Sequence, residues 1–577
     1  MQFGKLVIDP ARNPAILDTA TWAPADAWNT VQALDESYWQ SLQEAAARGM
    51  LLPSGGGLTP HASSCVRHEG ALICLASLAD GQQVFIEIGS NGKGGQSVLG
   101  TPVGTKLLSC GAQIAMHKTD AAVIARFFRC VAPHKGPRAL GAVPRLGIGT
   151  RMTTAVWPAI WRAMGQGGFM ANAIQNSVRE LNLLEDLLAG RPPERNVAFG
   201  FGTIEAGYTG STFEGLWVAG VLSALQHGPL QPFGADADHI QVKRGADGLE
   251  RARRIVAAAR YYSFYTLDVS DILDYKAPSA RAAAAEAYLE AKIPDSGQRR
   301  AVLAYHGQPR RIGGQGYRPD RAALGCLVGK YWDALDAVQE LYEYIAHLKE
   351  GQPFDLELSI DEHPPEVATF ECLTTEVELA FLLLEMRRRG IPLTHIAPNF
   401  GIEKGTDYRC PDGLEGLEKR IWFLSRIAEE FGVMLDFHSG DDLSPATRKV
   451  IRRATGGRNH FKISPGLQLL YAQVLADFYP ELFQRWWDDA VAYARREAAA
   501  GSALAAECLR QYETADDPAP SPHHSVFHHF SFAFVGRRDT DGQFLQREEF
   551  YALAPAFYRA YQDRVVLHLC KLAEDLF

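Results

Sequence analysis

From about Arg145 onward, short runs in which apolar residues alternate with polar ones are each followed by a longer run of helical periodicity. The strand-like runs are LGIGTRMTT (146–154), FMANAIQNS (169–177), FGADADHIQV (233–242), FYTLDVSD (264–271), FDLELSIDE (354–362), LTHIAPNF (393–400), VMLDFHS (433–439) and NHFKISPG (459–466). Each ends in polar residues, and stretches such as SVRELNLLEDLLAG, ERARRIVAAARYY and Gly413 to Gly432 follow as helices. Eight strands that alternate with helices predict an α/β fold, a (β/α)₈ TIM-type barrel over 141–577, with an open doubly wound sheet as the alternative. VAFGFGTIEAGY at 197–208 is a ninth candidate. Either it is an excursion between strands two and three or the register begins one strand too early. A partly helical insertion occupies about 275–350 and a C-terminal extension about 510–577, in which SVFHHFSFAFVG (525–536) reads as a strand or hairpin.

Residues 1–140 follow a different pattern, with helices expected over Glu36–Arg48 and Ala121–Val131 and strands over Ala71–Leu78 and Gln83–Ile88. This is an accessory mixed α+β region. Its glycine-rich GSNGKGG, Gly89 to Gly95, lacks the GK[ST] ending of a phosphate-binding loop and reads as a flexible loop.

Composition narrows the picture by exclusion. A chain of 577 residues, 47% hydrophobic and 22% charged, has ample material for a core. Its net charge of -9 and pI near 6.0 create no field for a nucleic-acid backbone. No apolar run reaches membrane-spanning length, and MQFGKLVIDPARNP has no basic segment followed by an apolar one, so a soluble cytoplasmic protein is expected, monomeric or homo-oligomeric. Nine cysteines without a CxxC pair are expected to be reduced and mostly buried.

The alternation also selects which polar groups share the barrel lumen, because outward positions must be apolar to pack on helices. Leu267 and Val269 face out, leaving Thr266, Asp268 and Ser270 inward; Leu356, Leu358 and Ile360 leave Glu357, Ser359 and Asp361 inward. By the same parity Asp436 and His438 point inward, as do His460, Lys462 and Ser464, with Lys462 nearer the tip. Several carboxylates beside imidazoles are costly to bury as free charges, and a divalent cation with mixed nitrogen and oxygen ligands relieves that cost. His239, Asp361, Glu362 and His438 are the candidate ligands, and manganese, zinc, nickel and iron all suit them. Asp238, Asp268 and Glu357 are the catalytic candidates, the first two as shuttles for a hydroxyl proton. Arg151 and Lys462 are expected to meet at the mouth and read a substrate's acid group, with Gln175, Asn399 and His529 as further substrate contacts. For any single member the plain alternative is a polar group neutralised by a barrel lysine or arginine.

At these residues the sequence resembles the tagaturonate epimerase family. The resemblance runs from about Gly141 to about Ala533 through NSVREL, FGADADH, FYTLDVSD, LELSIDE, RRRG, IAPNF with EKGTDY, DFHSGDD, TGGRNHFKIS and HHFSF. It implies a divalent-metal enzyme that inverts one hydroxyl-bearing carbon of a keto sugar acid, interconverting tagaturonate and fructuronate. Three departures concern substrate: GTRMTT stands where a histidine-containing turn is expected, HSGDDLS lacks the expected lysine, and 196–215 reads as inserted. The resemblance leaves the region before 140 unexplained. A weaker similarity, an Asp-His pair on one strand and a histidine before a glycine turn on a later one, is to metal-dependent class II aldolases and implies retro-aldol chemistry. Aldolase or lyase activity, ketose isomerisation and an inactive sugar-acid-binding barrel are the alternatives.

Overall fold

The computed structural model describes all residues except 91–96, 199–201, 246, 280, 364–366, 404, 439 and 516–518. The eight expected strands form: β1 (Arg145–Gly149), β2 (Met170–Ser177), β3 (Phe233–Gln241), β4 (Phe264–Asp268), β5 (Asp355–Ser359), β6 (His395–Ala397), β7 (Met434–Phe437) and β8 (Asn459–Ile463). All neighbours pair in parallel, and β8 returns to β1 with Phe461 opposite Leu146. That closure excludes the open sheet.

Outward residues do what the alternation requires. Leu146, Ile148, Leu267, Leu356, Leu358, Leu435 and Phe461 are buried against the surrounding helices in one continuous core. Fully burying each such side chain contributes about 1.5–3 kcal/mol. Inward, β1 presents Gly147, where a Cβ would stand 2.5 Å from Gln175 Oε1 and 2.8 Å from Lys462 Cγ. The lumen is filled by long polar side chains from the other strands, and glycine makes the room. Helix boundaries are equally local in origin: after β7, the Ser444 hydroxyl accepts the Thr447 N–H at 3.3 Å, Pro445 opens the helix Pro445–Thr455, and Gly456 ends it at φ +61°.

The ninth candidate strand resolves as an excursion. Arg195–Ala198 and Gly202–Glu205 form an antiparallel ribbon between β2 and β3, tied down where Thr203 N–H donates to Glu497 at 2.9 Å. The expected strand or hairpin at 525–536 is corrected: Ser525–Phe530 is a short helix. Val526, Phe527 and Phe530 follow helical spacing, and Phe527 packs on Trp486 and Trp487. The insertion supplies helices Ala282–Lys292, Ser296–His306 and Arg321–Lys349 with a small hairpin.

The accessory region is a six-stranded antiparallel sheet with helices Pro24–Gln32 and Glu36–Arg48 on one face, enclosing Trp39, Leu42, Cys74, Ile86 and Met116. Its other face sends Ile73, Leu75 and Phe85 into the barrel's own core. The helix expected to run to Val131 keeps its register only to Arg126, then widens into a π turn over Phe127–Val131. The glycine-rich Gly89 to Gly95 falls mostly outside the described residues. Among the described residues no helix is long and apolar enough to cross a membrane.

Candidate active site

The carboxyl ends of β3, β4, β5 and β7 bring the predicted ligands together. His239 and His438 meet edge to face with ring centroids 4.5 Å apart, and one ligand atom from each lies within 4.8 Å of the other and of an Asp238 oxygen. A second group shares His239 with Asp268 and Glu362 under the same limit.

Strict alternation would send Asp238 and His239 to opposite faces of β3. Instead the β3–β4 register slips between Ala237 and Ile240, and His239 takes a left-handed φ of +56°. This bulge turns both neighbours toward the lumen, where each is buried. A non-glycine residue in that conformation carries about 1–2 kcal/mol of strain. The surrounding contacts hold it: His239 Nδ1 lies 3.3 Å from Asp268 Oδ2, and Asp268 Oδ1 accepts the Ser270 N–H at 3.1 Å. With Nδ1–H donated to Asp268, the Nε2 lone pair is directed toward Asp238.

His438 is gripped from both sides, Nε2 by Glu357 Oε1 at 2.8 Å and Nδ1 by Asp361 Oδ2 at 3.0 Å. Burial alone would lower the imidazole's pKa, but Asp361, then Glu357, hold it well above the ordinary histidine value. Burial likewise would raise Asp361, yet His438 keeps it at about 2. A cation entering here therefore replaces a proton.

Beneath this layer lies Lys462, 4% exposed, with Nζ at 2.7 Å from Glu357, 2.8 Å from Asp238, 3.4 Å from Asp236, 3.7 Å from Asp436 and 2.7 Å from the Thr266 hydroxyl. Burial acts to lower the ammonium's pKa, and the four carboxylates more than reverse it. Asp238 is pulled below the usual carboxylate range against its burial, chiefly by Lys462, whereas burial pushes Asp236 well above it. Glu357, Asp436 and His460 form a third group of ligand-capable atoms, but there the ammonium already supplies the positive charge.

The expected substrate contacts are placed less uniformly. Arg151 stands at the mouth, 17% exposed, with Nε donating to Glu180 at 2.9 Å and its guanidinium over the Tyr208 ring. It does not meet Lys462, whose ammonium points down into the carboxylates. Gln175 reaches Asp238 Oδ2 at 3.4 Å through Nε2 and leaves its buried Oε1 without a hydrogen bond. Asn399 spends its side chain tying two loops together, accepting from Gly401 N–H after β6 at 2.8 Å and donating to Cys372 Sγ, in the segment after β5, at 3.2 Å. His529 sits on the helix Ser525–Phe530 with Nδ1 on the Ser525 carbonyl, while neighbouring His528 holds Asp442 at 3.0 Å.

Arg179 was not foreseen. It lies two residues beyond β2, where strand parity no longer applies, and its Nη2 donates to Glu362 Oε2 at 2.5 Å and approaches Asp268 at 3.9 Å. Its presence in NSVREL beside Glu180 was the available signal.

The sequence model of the tagaturonate epimerase family matches residues 202–576. A tagaturonate/fructuronate epimerase from Thermotoga maritima is 30% identical over 369 residues, 63% of this chain and 65% of that protein, so the match spans slightly under two thirds of the relative's length. A glycerol-complexed crystal structure of fructuronate-tagaturonate epimerase from Cohnella laeviribosi superposes with a TM-score of 0.64 at 21% identity, covering 94% of this chain and 99% of that one. The native crystal structure gives 0.63 at 20% identity, covering 93% and 99%.

Proposed function

Because the chain belongs to the tagaturonate epimerase family, we propose that it inverts one hydroxyl-bearing carbon of a keto sugar acid, interconverting tagaturonate and fructuronate with a divalent metal. The observation that carries this reading is the His239–His438–Asp238 group at the carboxyl ends of the strands. Its donor set fits a borderline metal, and Asp268 behind His239 supplies the orienting carboxylate that such ligands require. Glu362, whose Oε1 lies 4.0 Å from His239 Nδ1, stands with Asp268 on the orienting side of that ring. Bound there, the metal would act as a Lewis acid toward the substrate carbonyl.

The inverted carbon is not adjacent to the ketone, so its hydrogen is not acidic and direct abstraction faces a prohibitive barrier. Retro-aldol cleavage avoids it. A base takes the proton of the hydroxyl on that carbon, the bond to the neighbouring carbon breaks, and its electron pair passes to the ketone fragment as an enediolate. The aldehyde fragment turns over and re-adds through its other face. Asp238, 10% exposed, faces the His239 Nε2 and is tied to Lys462, and Asp268, 2% exposed, lies behind His239, whereas Asp361 is 20% exposed and backed by His438. This argues for Asp361 as the group that holds and returns the proton, with Asp238 a ligand and Asp268 an orienting residue. Glu357 fixes His438 from below. Arg151, joined by Arg179 across Tyr208, is the anchor for the acid group, and the unpaired Gln175 Oε1 is an acceptor for a substrate hydroxyl.

The test is incubation of the metal-loaded protein with each ketohexuronate and with neutral ketohexoses, followed by product analysis. Interconversion of the two acids is expected. No turnover of either acid with manganese, zinc, nickel or iron would refute the assignment.

A further inference from the structure

Two cysteines of the accessory sheet face each other across adjacent strands. The short strand Val66–His68 runs antiparallel to Ala71–Leu78 with Val66 opposite Ile73, Arg67 opposite Leu72 and His68 opposite Ala71. Extending that register by one residue sets Cys65 opposite Cys74. Opposed residues of an antiparallel pair point to the same face with Cβ atoms about 4.5–5.5 Å apart and Cα atoms within the roughly 4.4–6.8 Å that a disulfide spans. The burial agrees. Cys74 is fully enclosed in the accessory core, and Cys65 packs on that core from its rim, partly exposed.

The two thiols touch but differ in character. The contact with Cys74 and the nearby Lys135 ammonium hold the Cys65 thiol below its ordinary pKa despite burial, while the same contact and complete burial push Cys74 well above its own. Lys135 is fixed there by donating to the Ser63 carbonyl at 2.6 Å. By contrast, burial raises the thiols of Cys372, Cys508 and Cys570. A part-exposed thiol that meets a fully buried partner, beside a fixed ammonium, is the arrangement of an attacking and a resolving cysteine.

We propose that Cys65 and Cys74 are an oxidisable dithiol that closes to an intrachain disulfide with a peroxide as co-reactant. Cys65 gives up its thiol proton and its sulfur attacks one peroxide oxygen, the O–O bond breaks, and Cys65 becomes a sulfenic acid while the departing hydroxide takes up that proton as the first water. Cys74 sulfur then attacks the Cys65 sulfur, the S–O bond breaks, and the second water carries away the Cys74 proton. Two thiols and one hydrogen peroxide yield one disulfide and two waters, the thiols losing two electrons to the peroxide. The link would lie in the strap that joins the accessory sheet to the barrel, for Ser63 Oγ donates to the Leu225 and Gln226 carbonyls at 2.5 and 2.7 Å on the helix Phe213–His227.

The folded full-length protein would be treated with hydrogen peroxide, quenched, alkylated in denaturant and digested. Trypsin cuts after Arg67, so the two cysteines fall in separate peptides unless bridged. A bridged 65–74 pair is expected to form at least about tenfold faster than thiol is lost at the exposed Cys110 and Cys130. In Cys74→Ser the Cys65 sulfenic acid should persist and be trapped by dimedone, and in Cys65→Ser, a rim position, Cys74 should become unreactive. Consumption of Cys65 without a bridge to Cys74 in the parent protein, or a pair no faster than Cys110, would overturn the proposal.

Discussion

Replacing Lys462 with methionine, which keeps the unbranched chain up to the position of the ammonium and removes the charge, tests the electrostatic design of the lumen. The ammonium makes two short carboxylate contacts, 2.7 Å to Glu357 and 2.8 Å to Asp238, and has two further carboxylates within 3.7 Å. Charge-assisted hydrogen bonds contribute about 1.5–3 kcal/mol each, and removing one partner of a buried ion pair costs about 3–5 kcal/mol. The contributions share one cation and are not additive, so about 4 kcal/mol is the expected loss. For 577 residues the unfolding entropy is on the order of 1.2 kcal/mol per kelvin, which places the melting midpoint about 3–4 °C lower. Scanning calorimetry with a chelator and then with saturating divalent metal should show a larger deficit in the chelator, since a metal at Asp238 restores part of the lost positive charge. The deficit should also shrink as pH falls, because protons can neutralise the same carboxylates. A methionine variant that melts with the parent in chelator would show that the carboxylates do not depend on Lys462. Unchanged melting with a raised KM for acid substrates alone would return Lys462 to the role of substrate anchor.

Asp268→Asn should leave the fold intact and weaken metal binding about 10–100-fold, measured by metal titration, because His239 loses its charged orienting carboxylate; unchanged affinity refutes that role. Arg151→Leu should weaken acid substrates more than about tenfold and spare neutral ketohexoses, and an equal loss for both would make Arg151 a support for Glu180 instead. Turnover in heavy water should place no deuterium on the inverted carbon if the carbon–carbon bond is the one that breaks, and NMR incorporation there would rule out retro-aldol chemistry. Burial would raise the Glu385 pKa, but hydrogen bonds from His306 and Arg388 hold it at about 2. Its folded value lies below its unfolded one, so its contribution, up to about 3 kcal/mol, is complete above about pH 4.5 and is lost as pH falls toward 2. Urea unfolding of Glu385→Gln against the parent should therefore show a gap that narrows from about pH 6 to about pH 3.

The barrel was legible because each strand is apolar on one parity and polar on the other, a pattern that a closed parallel sheet leaves undisguised. The same parity placed Asp268, Glu357, Asp436, His438 and Lys462 in one lumen. It could not place Asp238 and His239 together, since two consecutive inward side chains require the bulge that only the β3–β4 register displays. Nor could it set depth along the axis, so Lys462 and Arg151 were expected as neighbours at the mouth, whereas Lys462 turns down toward Asp236. Arg179 lies in a turn, beyond any periodic signal. SVFHHFSFAFVG misled because its phenylalanines also alternate, although Val526, Phe527 and Phe530 fit one face of a helix.

The left-handed backbone at His239 gives residue 239 two opposed preferences. Glycine there would relax the β3 bulge by about 1–2 kcal/mol and delete an imidazole in the same step. A lineage released from catalysis would thus gain robustness by abandoning that ligand. The identity of residue 239 is therefore set by the contacts of its ring, against the preference of its own backbone.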